Sequence, residues 1–248
     1  MQGRVRVRRA RGQSGRRRPL WAIGAWLLLI PLSGCVQHVS APLSLIDGYP
    51  TFVADEAAGS TDAPAAANLV HFVVEIPAGT NAKWQVDKAT GALRWEQLDG
   101  RPRVVGYLAY PGSYGMIPST ALPYEIGGDG DPLDLLLLGP RVERGRVVVV
   151  RPIGILKLLD DGERDDKILA VPTSGPLSDV RDLASLDARY AGARTIVETW
   201  FTHYKGGNRV RSQGFGDAAE ALEVIREASR YFAESTKQTK PAKDSGER

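Results

Sequence analysis

Three aspartates and three glycines are concentrated in the segment Gly127-Gly128-Asp129-Gly130-Asp131-Pro132-Leu133-Asp134, which leads directly into the apolar run Leu135–Leu138. Side chains two residues apart in an extended chain point to the same side, so Asp129 and Asp131 can converge. The apolar run that follows is typical of a buried strand. The segment therefore places three carboxylates at the mouth of a buried strand, and hard divalent cations bind such oxygen ligands.

A calcium-binding EF-hand is one alternative interpretation of these acids. An EF-hand loop requires glycine at its sixth position and glutamate at its twelfth. Here those two positions hold Asp134 and Pro140, so the EF-hand is excluded. A solvent-exposed acidic turn that binds no ligand is the other alternative.

A second acidic cluster has the sequence Asp160-Asp161-Gly162-Glu163-Arg164-Asp165-Asp166-Lys167 and lies between the apolar runs 153–159 and 168–171. This pattern predicts a β-hairpin with five acids at its tip and flanks. If both clusters open on one side of a small barrel, their repulsion is tolerable only when cations lie between them. An exposed turn is again the alternative.

Short β-type runs separated by glycine and proline continue from Leu69 to Val171, which favours a small barrel or sandwich. Two helical periods follow: one over 190–204 that stops at Gly206-Gly207, and one that opens at Asp217 with a capping-box pattern. The predicted fold is mainly β, of the α+β class, with two flanking C-terminal helices. The predicted strands cover residues 70–76, 92–96, 104–109, 135–138, 147–150, 153–159 and 168–171.

The N-terminal 34 residues have the three-part composition of a secretory signal. Residues 1–18 are arginine-rich, and the apolar run Leu20–Ile30 is shorter than the roughly 20 residues that a membrane-spanning helix needs. Leu32-Ser33-Gly34-Cys35 resembles the lipobox of bacterial lipoproteins, which implies that Cys35 is lipidated after cleavage. The alternatives are a soluble exported protein with an unrelated cysteine and, from a weak match at Arg17-Arg18, twin-arginine export.

The charge of the chain is divided unevenly between this leader and the remainder. Residues 1–34 contain eight arginines and neither lysine nor acid, so the remainder carries a net charge of −5 although the whole chain carries +3. We therefore expect no nucleic-acid binding. The predicted organisation is a signal over 1–34, a flexible tether over 35–67, a domain over 68–235 and a disordered tail over 236–248.

The chain from about Val73 to Lys205 resembles the soluble family I inorganic pyrophosphatases, over more than half of its length. The resemblance implies an OB-like, five-stranded closed β-barrel, hydrolysis of inorganic diphosphate and a requirement for several Mg²⁺ ions. It rests on these segments, which follow the family's order: Val74-Glu75-Ile76-Pro77, Asn81-Ala82-Lys83, Tyr110-Pro111-Gly112-Ser113-Tyr114-Gly115, Gly128-Asp129-Gly130-Asp131-Pro132-Leu133-Asp134, Asp160 to Lys167, and Tyr204-Lys205.

The resemblance also implies a role for each site residue. Asp131 would accept a proton from the attacking water or orient it, although most activation must come from the metals because a carboxylate among cations is a weak base. The implied Mg²⁺ ligands are Asp129, Asp131, Asp134, Asp160 and Asp165, supported by Glu75. The implied phosphate-binding residues are Lys83, Arg103, Tyr114, Lys167, Tyr204 and Lys205, of which Lys83, Arg103 and Tyr114 join Asp131 as the expected catalytic group.

Three features depart from the family's pattern. Gln85 stands where the family usually has an acid, which removes one negative charge near the expected metals. Both Arg101 and Arg103 precede Tyr110, and we prefer Arg103 as the phosphate ligand. Family members are mostly cytosolic, whereas this leader predicts an exported, lipid-anchored protein on the bacterial cell envelope.

The first functional hypothesis is therefore a lipid-anchored, Mg²⁺-dependent enzyme that hydrolyses diphosphate to two phosphates and so scavenges phosphate. A second hypothesis, supported by Gln85, is a non-catalytic barrel lipoprotein that binds a phosphorylated or polyanionic ligand. A third is hydrolysis of a larger phosphoanhydride. The resemblance also allows a homo-oligomer.

Overall fold

The computed structural model describes residues 44–53, 68–122, 124, 127–128 and 130–239. The predicted signal, Cys35 and Asp129 lie outside these ranges. Within them, no helix combines the length and the apolar character that crossing a bilayer requires.

The described residues form a mainly β, α+β fold with its helices at the C-terminal end. The strands are β1 (Val70–Ile76), β2 (Trp84–Val86), β3 (Leu93–Trp95), β4 (Gln97–Leu98), β5 (Arg101–Pro102), β6 (Ser113–Met116), β7 (Asp134–Leu137), β8 (Val147–Asp160), β9 (Glu163–Arg164), β10 (Lys167–Pro172) and β11 (Val210–Gly216). The helices are α1 (Leu183–Arg189), α2 (Ala193–His203) and α3 (Ala218–Thr239).

Five strands pair in an unbroken sequence that returns to its start. β1 pairs antiparallel with β6, β6 antiparallel with β7, and β7 parallel with β10. β10 pairs antiparallel with β8, and the first part of β8 pairs antiparallel with β1. Each of the five strands therefore has a neighbour on both sides, and β11 and β9 add to the far end of β8.

Two apolar clusters explain why the strand sequences are apolar at successive positions. On β7, Leu135 and Leu137 belong to one cluster, whereas Leu136 belongs to the other, together with Leu138 just after the strand. Helix α3 packs in the first cluster and helix α2 in the second. Both faces of the strand are covered, so an alternating polar pattern is not required.

The predicted elements differ from the structure at several places. The runs 147–150 and 153–159 form the single strand β8. Leu169 and Ala170 of β10 oppose Gly154 and Pro152, so Ile153 is an extra residue in β8 and forms a bulge that accommodates Pro152. The prediction of a strand over 104–109 is wrong, since the only pairing there among the described residues is one isolated bridge between Val104 and Ala82. That segment is held instead by the side-chain amide of Asn81, which donates to the carbonyls of Val105 and Tyr107 at 3.0 and 2.8 Å.

The two predicted C-terminal helices are present as α2 and α3, and Asp217 accepts the predicted capping bond from the Glu220 amide at 2.9 Å. A third, short helix, α1, was not predicted. Its N-terminus is closed by Asp182, whose carboxylate accepts a hydrogen bond from the Ser185 amide at 2.7 Å. Such a cap stabilises a helix too short to show an apolar period.

The predicted boundaries of the domain are too narrow at both ends. Residues 44–53, which we call the strap, fall within the predicted tether but lie against the domain: Leu45 and Ile46 pack on an apolar cluster, and Thr51 is buried. At the other end, α3 continues past residue 235 to Thr239. The Thr236 hydroxyl donates to the Phe232 carbonyl at 2.7 Å within this extension.

Candidate active site

The centre of the candidate site is a buried lysine between two aspartates. Lys167, at the start of β10, is 1% exposed. Its Nζ lies 2.6 Å from Asp134 Oδ2 and 2.5 Å from Asp165 Oδ1. Burial alone would lower the pKa of Lys167, but these two carboxylates raise it above its ordinary value. The lysine is therefore charged, and we call Asp134, Lys167 and Asp165 the central ion cluster.

The two aspartates of the central ion cluster differ in their electrostatics. Burial opposes the ionisation of Asp134, but the charges of Lys167 and Lys83 hold its pKa below the ordinary range. Burial and then the charge of Asp134 raise the pKa of Asp165, against the opposing effect of Lys167. The single ammonium of Lys167 therefore pairs with two carboxylates, and the negative charge of Asp165 is only partly neutralised.

A second ion pair joins Asp160, the last residue of β8, to Lys205, which follows α2. Only one oxygen of this aspartate is satisfied: Asp160 Oδ1 is buried and has no hydrogen-bond partner among the described residues. A buried carboxylate oxygen without a partner is energetically costly. It is therefore a position at which a cation would be stabilised.

Tyr204 connects this ion pair with the central ion cluster. Burial raises its pKa well above the ordinary value, and the charges of Asp165, Asp134 and Asp160 raise it further. The ring is held in place by stacking on Trp200, with 4.7 Å between the ring centroids and an angle of 11° between the planes. The phenol therefore stays protonated and is available as a hydrogen-bond donor.

Glu75 lies on β1 and is almost completely buried. One of its carboxylate oxygens accepts a hydrogen bond from the Val86 amide at 2.6 Å. Burial raises the pKa of Glu75 to about 7, although the nearby charge of Lys83 opposes this shift. Near neutral pH this group can therefore hold or release a proton.

Lys83 and Tyr114 form the next part of the site. The ammonium of Lys83 lies 5.0 Å from the centroid of the Tyr114 ring, a cation–π distance. Burial raises the pKa of Tyr114 well above its ordinary value. The close approach of β6 to β1 requires Gly115, where an added side chain would overlap the Val73 carbonyl.

The structure distinguishes the two candidate arginines. Arg101 is exposed on β5, whereas Arg103 is half-buried and bonds Glu96 Oε1 at 2.5 Å through Nη1. The positive charge of Arg103 also lowers the pKa of both Tyr110 and Tyr204, against the larger effect of burial. Of the two arginines, Arg103 is therefore the one that lies close to the site tyrosines.

Asp131, the expected proton acceptor, is about half exposed and forms an ion pair with Lys88 in the turn between β2 and β3. Nothing in the sequence pattern singled out Lys88. Gln85, the position that departs from the family's pattern, is exposed on β2. Its side chain therefore lies on the opposite face of that strand from the buried Val86.

Asp134, Asp160, Asp165 and Glu75 are brought into one region, whereas Asp131 is paired with Lys88. Within the described residues no three His, Cys, Asp or Glu side chains are close enough to hold a metal ion as they stand. Lysines neutralise them instead, and the sequence pattern does not predict these pairs. Two observations nevertheless fit a hard divalent cation. The donors are all carboxylate oxygens, and the buried Asp160 Oδ1 has no partner among the described residues.

Known proteins share this chain's sequence pattern and fold. The family model for inorganic pyrophosphatase matches residues 72–233. The inorganic pyrophosphatase of Gluconobacter oxydans is 36% identical over 165 residues, which are 65% of this chain and 90% of that protein. The Xanthomonas campestris inorganic pyrophosphatase is 34% identical over 172 residues, which are 67% of this chain and 91% of that protein.

Solved structures give the same result. An N-terminally truncated vacuolar soluble pyrophosphatase of Trypanosoma cruzi in complex with PPi superimposes with a TM-score of 0.73 at 26% identity, covering 79% of this chain and 80% of that chain. The inorganic pyrophosphatase of Thermus thermophilus superimposes with a TM-score of 0.60 at 31% identity, covering 77% of this chain and 99% of that chain.

Proposed function

The chain belongs to the inorganic pyrophosphatase family, and on that basis we propose that it hydrolyses inorganic diphosphate to two phosphates with the help of several Mg²⁺ ions. The observation that carries the proposal is the alternation of buried charges around the central ion cluster, where Lys167 lies between Asp134 and Asp165. A site for a metal–diphosphate complex needs both anionic groups for the metal and cationic groups for the phosphates.

Four described carboxylates are suited to hold the metal ions: Asp131, Asp134, Asp160 and Asp165, with Glu75 in support. Asp129, the other expected ligand, lies outside the described residues. Mg²⁺ held by these carboxylates would supply a water of lowered pKa and would neutralise charge on the departing phosphate. Asp131 would orient the attacking water.

The remaining site residues bind and orient the phosphates. Lys167 and Lys205, which are paired with Asp165 and Asp160, would bind phosphate oxygens, and Lys83 and Arg103 would add two further cations. Tyr114 and Tyr204 donate hydrogen bonds, because burial keeps both phenols protonated. Aligned donors of this kind stabilise the charge that develops during phosphoryl transfer.

The purified protein should release phosphate from diphosphate in the presence of Mg²⁺ and lose this activity in a chelator. Asp131→Ala should lose most of it. Phosphate release that a chelator does not change would refute the proposal. A panel of larger phosphoanhydrides, assayed in parallel, tests the third hypothesis.

The non-catalytic hypothesis rests on Gln85. Since Gln85 is exposed on β2, the missing charge does not remove a member of the central ion cluster. This observation favours catalysis. Tight binding of diphosphate without turnover, in the same assay, would favour the non-catalytic protein instead.

We also propose that the domain is exported and anchored through a lipid on Cys35, in support of phosphate scavenging at the cell envelope. The strap begins at Ser44, nine positions after Cys35, so the connecting chain can span at most about 30 Å. This is a shorter connection than the predicted tether of residues 35–67. Cys35→Ser should move the protein from the membrane fraction to the soluble fraction if the anchor exists.

The fold itself completes the proposal. The pairing of β1 with both β6 and β8 supports the OB-like, five-stranded closed barrel that the resemblance implies. In such a barrel the ends of neighbouring strands surround one mouth. That arrangement agrees with the positions of Asp134 at the start of β7 and Asp160 at the end of β8.

A further inference from the structure

The first half of the strap is fastened beside the hairpin formed by β2 and β3. The Leu45 amide donates to the Gly91 carbonyl, in the turn of that hairpin, at 3.1 Å. Ile46 accepts a hydrogen bond from the Ser119 amide at 2.8 Å. Gly91 has a φ of 63°, and a side chain added there would overlap Ser44. The strap therefore lies directly on the hairpin turn.

The second half of the strap is held by β1 and α3. The Thr51 carbonyl accepts a hydrogen bond from the His71 amide at 3.0 Å, and Phe52 forms a bridge with Val70. The Thr51 hydroxyl is buried and lies 3.0 Å from the Ser229 hydroxyl on α3. This anchorage on the main sheet gives the first half of the strap a fixed support.

The β2–β3 hairpin has little support of its own. Its two strands contain three residues each and pair only with one another, outside the main sheet. An isolated two-stranded hairpin is at best marginally stable in water. Its buried residue, Val86, packs in a cluster with Val73 and Met116, and Leu45 and Ile46 of the strap pack against that cluster.

The same hairpin carries groups of the candidate site. Lys83 immediately precedes β2, and the Val86 amide holds the Glu75 carboxylate at 2.6 Å. A displacement of the hairpin would therefore move the Lys83 ammonium relative to the Tyr114 ring and would break the hydrogen bond to Glu75. Small displacements of positioned groups reduce catalysis and binding strongly.

We propose that the strap is part of the catalytic domain and clamps the β2–β3 hairpin, so that Leu45 and Ile46 are positioning residues for Lys83 and Glu75. The proposal deepens the diphosphatase function and rests on it. It also assigns a role to a segment whose composition predicts only a tether.

The test uses the whole protein with the double substitution Leu45→Ala and Ile46→Ala. The KM for diphosphate should rise about tenfold, as expected when one charge-assisted contact is misplaced, and the Tm should fall. Leu186→Ala on α1 is the control, because Leu186 is fully buried in the apolar cluster that contains α2, and among the described residues no part of the strap packs against that cluster. At a comparable loss of Tm, this control should keep the wild-type KM.

Conservative replacement separates positioning from general stability. Leu45→Met with Ile46→Val keeps the apolar contact and should restore the KM. The single substitutions Leu45→Ala and Ile46→Ala provide the same measurement if the double variant does not fold. A wild-type KM in the folded alanine variants overturns the proposal, whatever their Tm.

A second measurement reports on the hairpin without any enzymatic reaction. Trp84 and Trp95 face each other across β2 and β3, with ring centroids 5.6 Å apart and an angle of 26° between the planes. Such a pair should give an exciton-coupled circular dichroism signal, which Trp95→Phe assigns. We expect the strap double variant to lose this signal and Leu186→Ala to keep it.

The two measurements separate failure of the inference from failure of the proposed function. A wild-type protein that does not hydrolyse diphosphate refutes the proposed function, and the tryptophan signal then decides by itself whether the strap holds the hairpin. A strap double variant that retains the signal shows that the hairpin does not depend on the strap, and this overturns the inference.

Discussion

Replacing Lys167 by methionine removes the buried ammonium that lies between Asp134 and Asp165. The methionine side chain has a similar length and no charge, so the two carboxylates would face each other without compensation. The Lys167 side chain is 2% exposed, and each aspartate side chain is 30% exposed. The loss therefore belongs at the lower end of the range for breaking a buried ion pair, about 3 kcal/mol in the free energy of unfolding.

Thermal and urea unfolding in a chelator measure this loss. A decrease of this size corresponds to a fall in Tm of about 10 °C for a domain of this length. Mg²⁺ should then raise the Tm of Lys167→Met more than that of the wild type, because a divalent ion can take over the compensation of both carboxylates. The variant should also bind diphosphate more weakly, since it lacks a phosphate-binding cation.

Lys157→Met is the matched control, because it removes a lysine from the neighbouring strand β8. Lys157 is paired with Glu220 at 3.1 Å, and both side chains are partly exposed. Such a pair contributes about 1 kcal/mol at most. If Lys167→Met were no less stable than Lys157→Met in the chelator, the assignment of Lys167 as the charge that holds the central ion cluster together would be wrong.

Three further predictions concern other parts of the site. Asp160→Asn should weaken Mg²⁺ binding, measured by titration calorimetry, at least about tenfold, whereas Asp161→Asn at the exposed neighbour should leave it unchanged. Equal effects of the two substitutions would contradict the assignment of Asp160 as a metal ligand. Arg103→Ala should raise the KM for diphosphate and Arg101→Ala should leave it unchanged, because only Arg103 lies beside the tyrosines. Since burial raises the pKa of Glu75 from 4.5 to about 7, its contribution to stability is present below pH 4.5 and is lost as the pH rises through about 7. In a chelator, Glu75→Gln should therefore flatten the fall in unfolding free energy across that interval, and an unchanged pH profile would contradict the burial of an ionisable carboxyl there.

Local patterns were sufficient for the parts of the fold that depend on neighbouring residues. The apolar run after Asp134 predicted β7, and the capping pattern at Asp217 predicted the start of α3. Both signals arise within one strand or one helical turn, where sequence spacing directly sets side-chain direction. The boundary at Gly206-Gly207 follows from the same local chemistry, since both glycines have positive φ.

The sequence does not correctly predict elements whose local pattern is weak or interrupted. The sequence pattern divides β8 at Pro152, because proline by itself does not show that a bulge at Ile153 of the same strand will accommodate it. The composition around the strap predicts a tether, because the apolar residues of the strap form no helical or strand period. Its contacts depend on surfaces that the folded domain provides, such as the cluster around Val86.

The sequence by itself determined which acids and bases the motifs carry, because residue types are the same whatever the fold. The tertiary structure alone decided their pairing: Lys167 meets Asp134 across 33 positions, and Lys205 meets Asp160 across 45. It also decided that Arg103 and not Arg101 lies beside the tyrosines. These outcomes depend on burial and on distances between residues that are far apart in the sequence. The strength of the interaction between two charges depends on that distance and on how much solvent surrounds them.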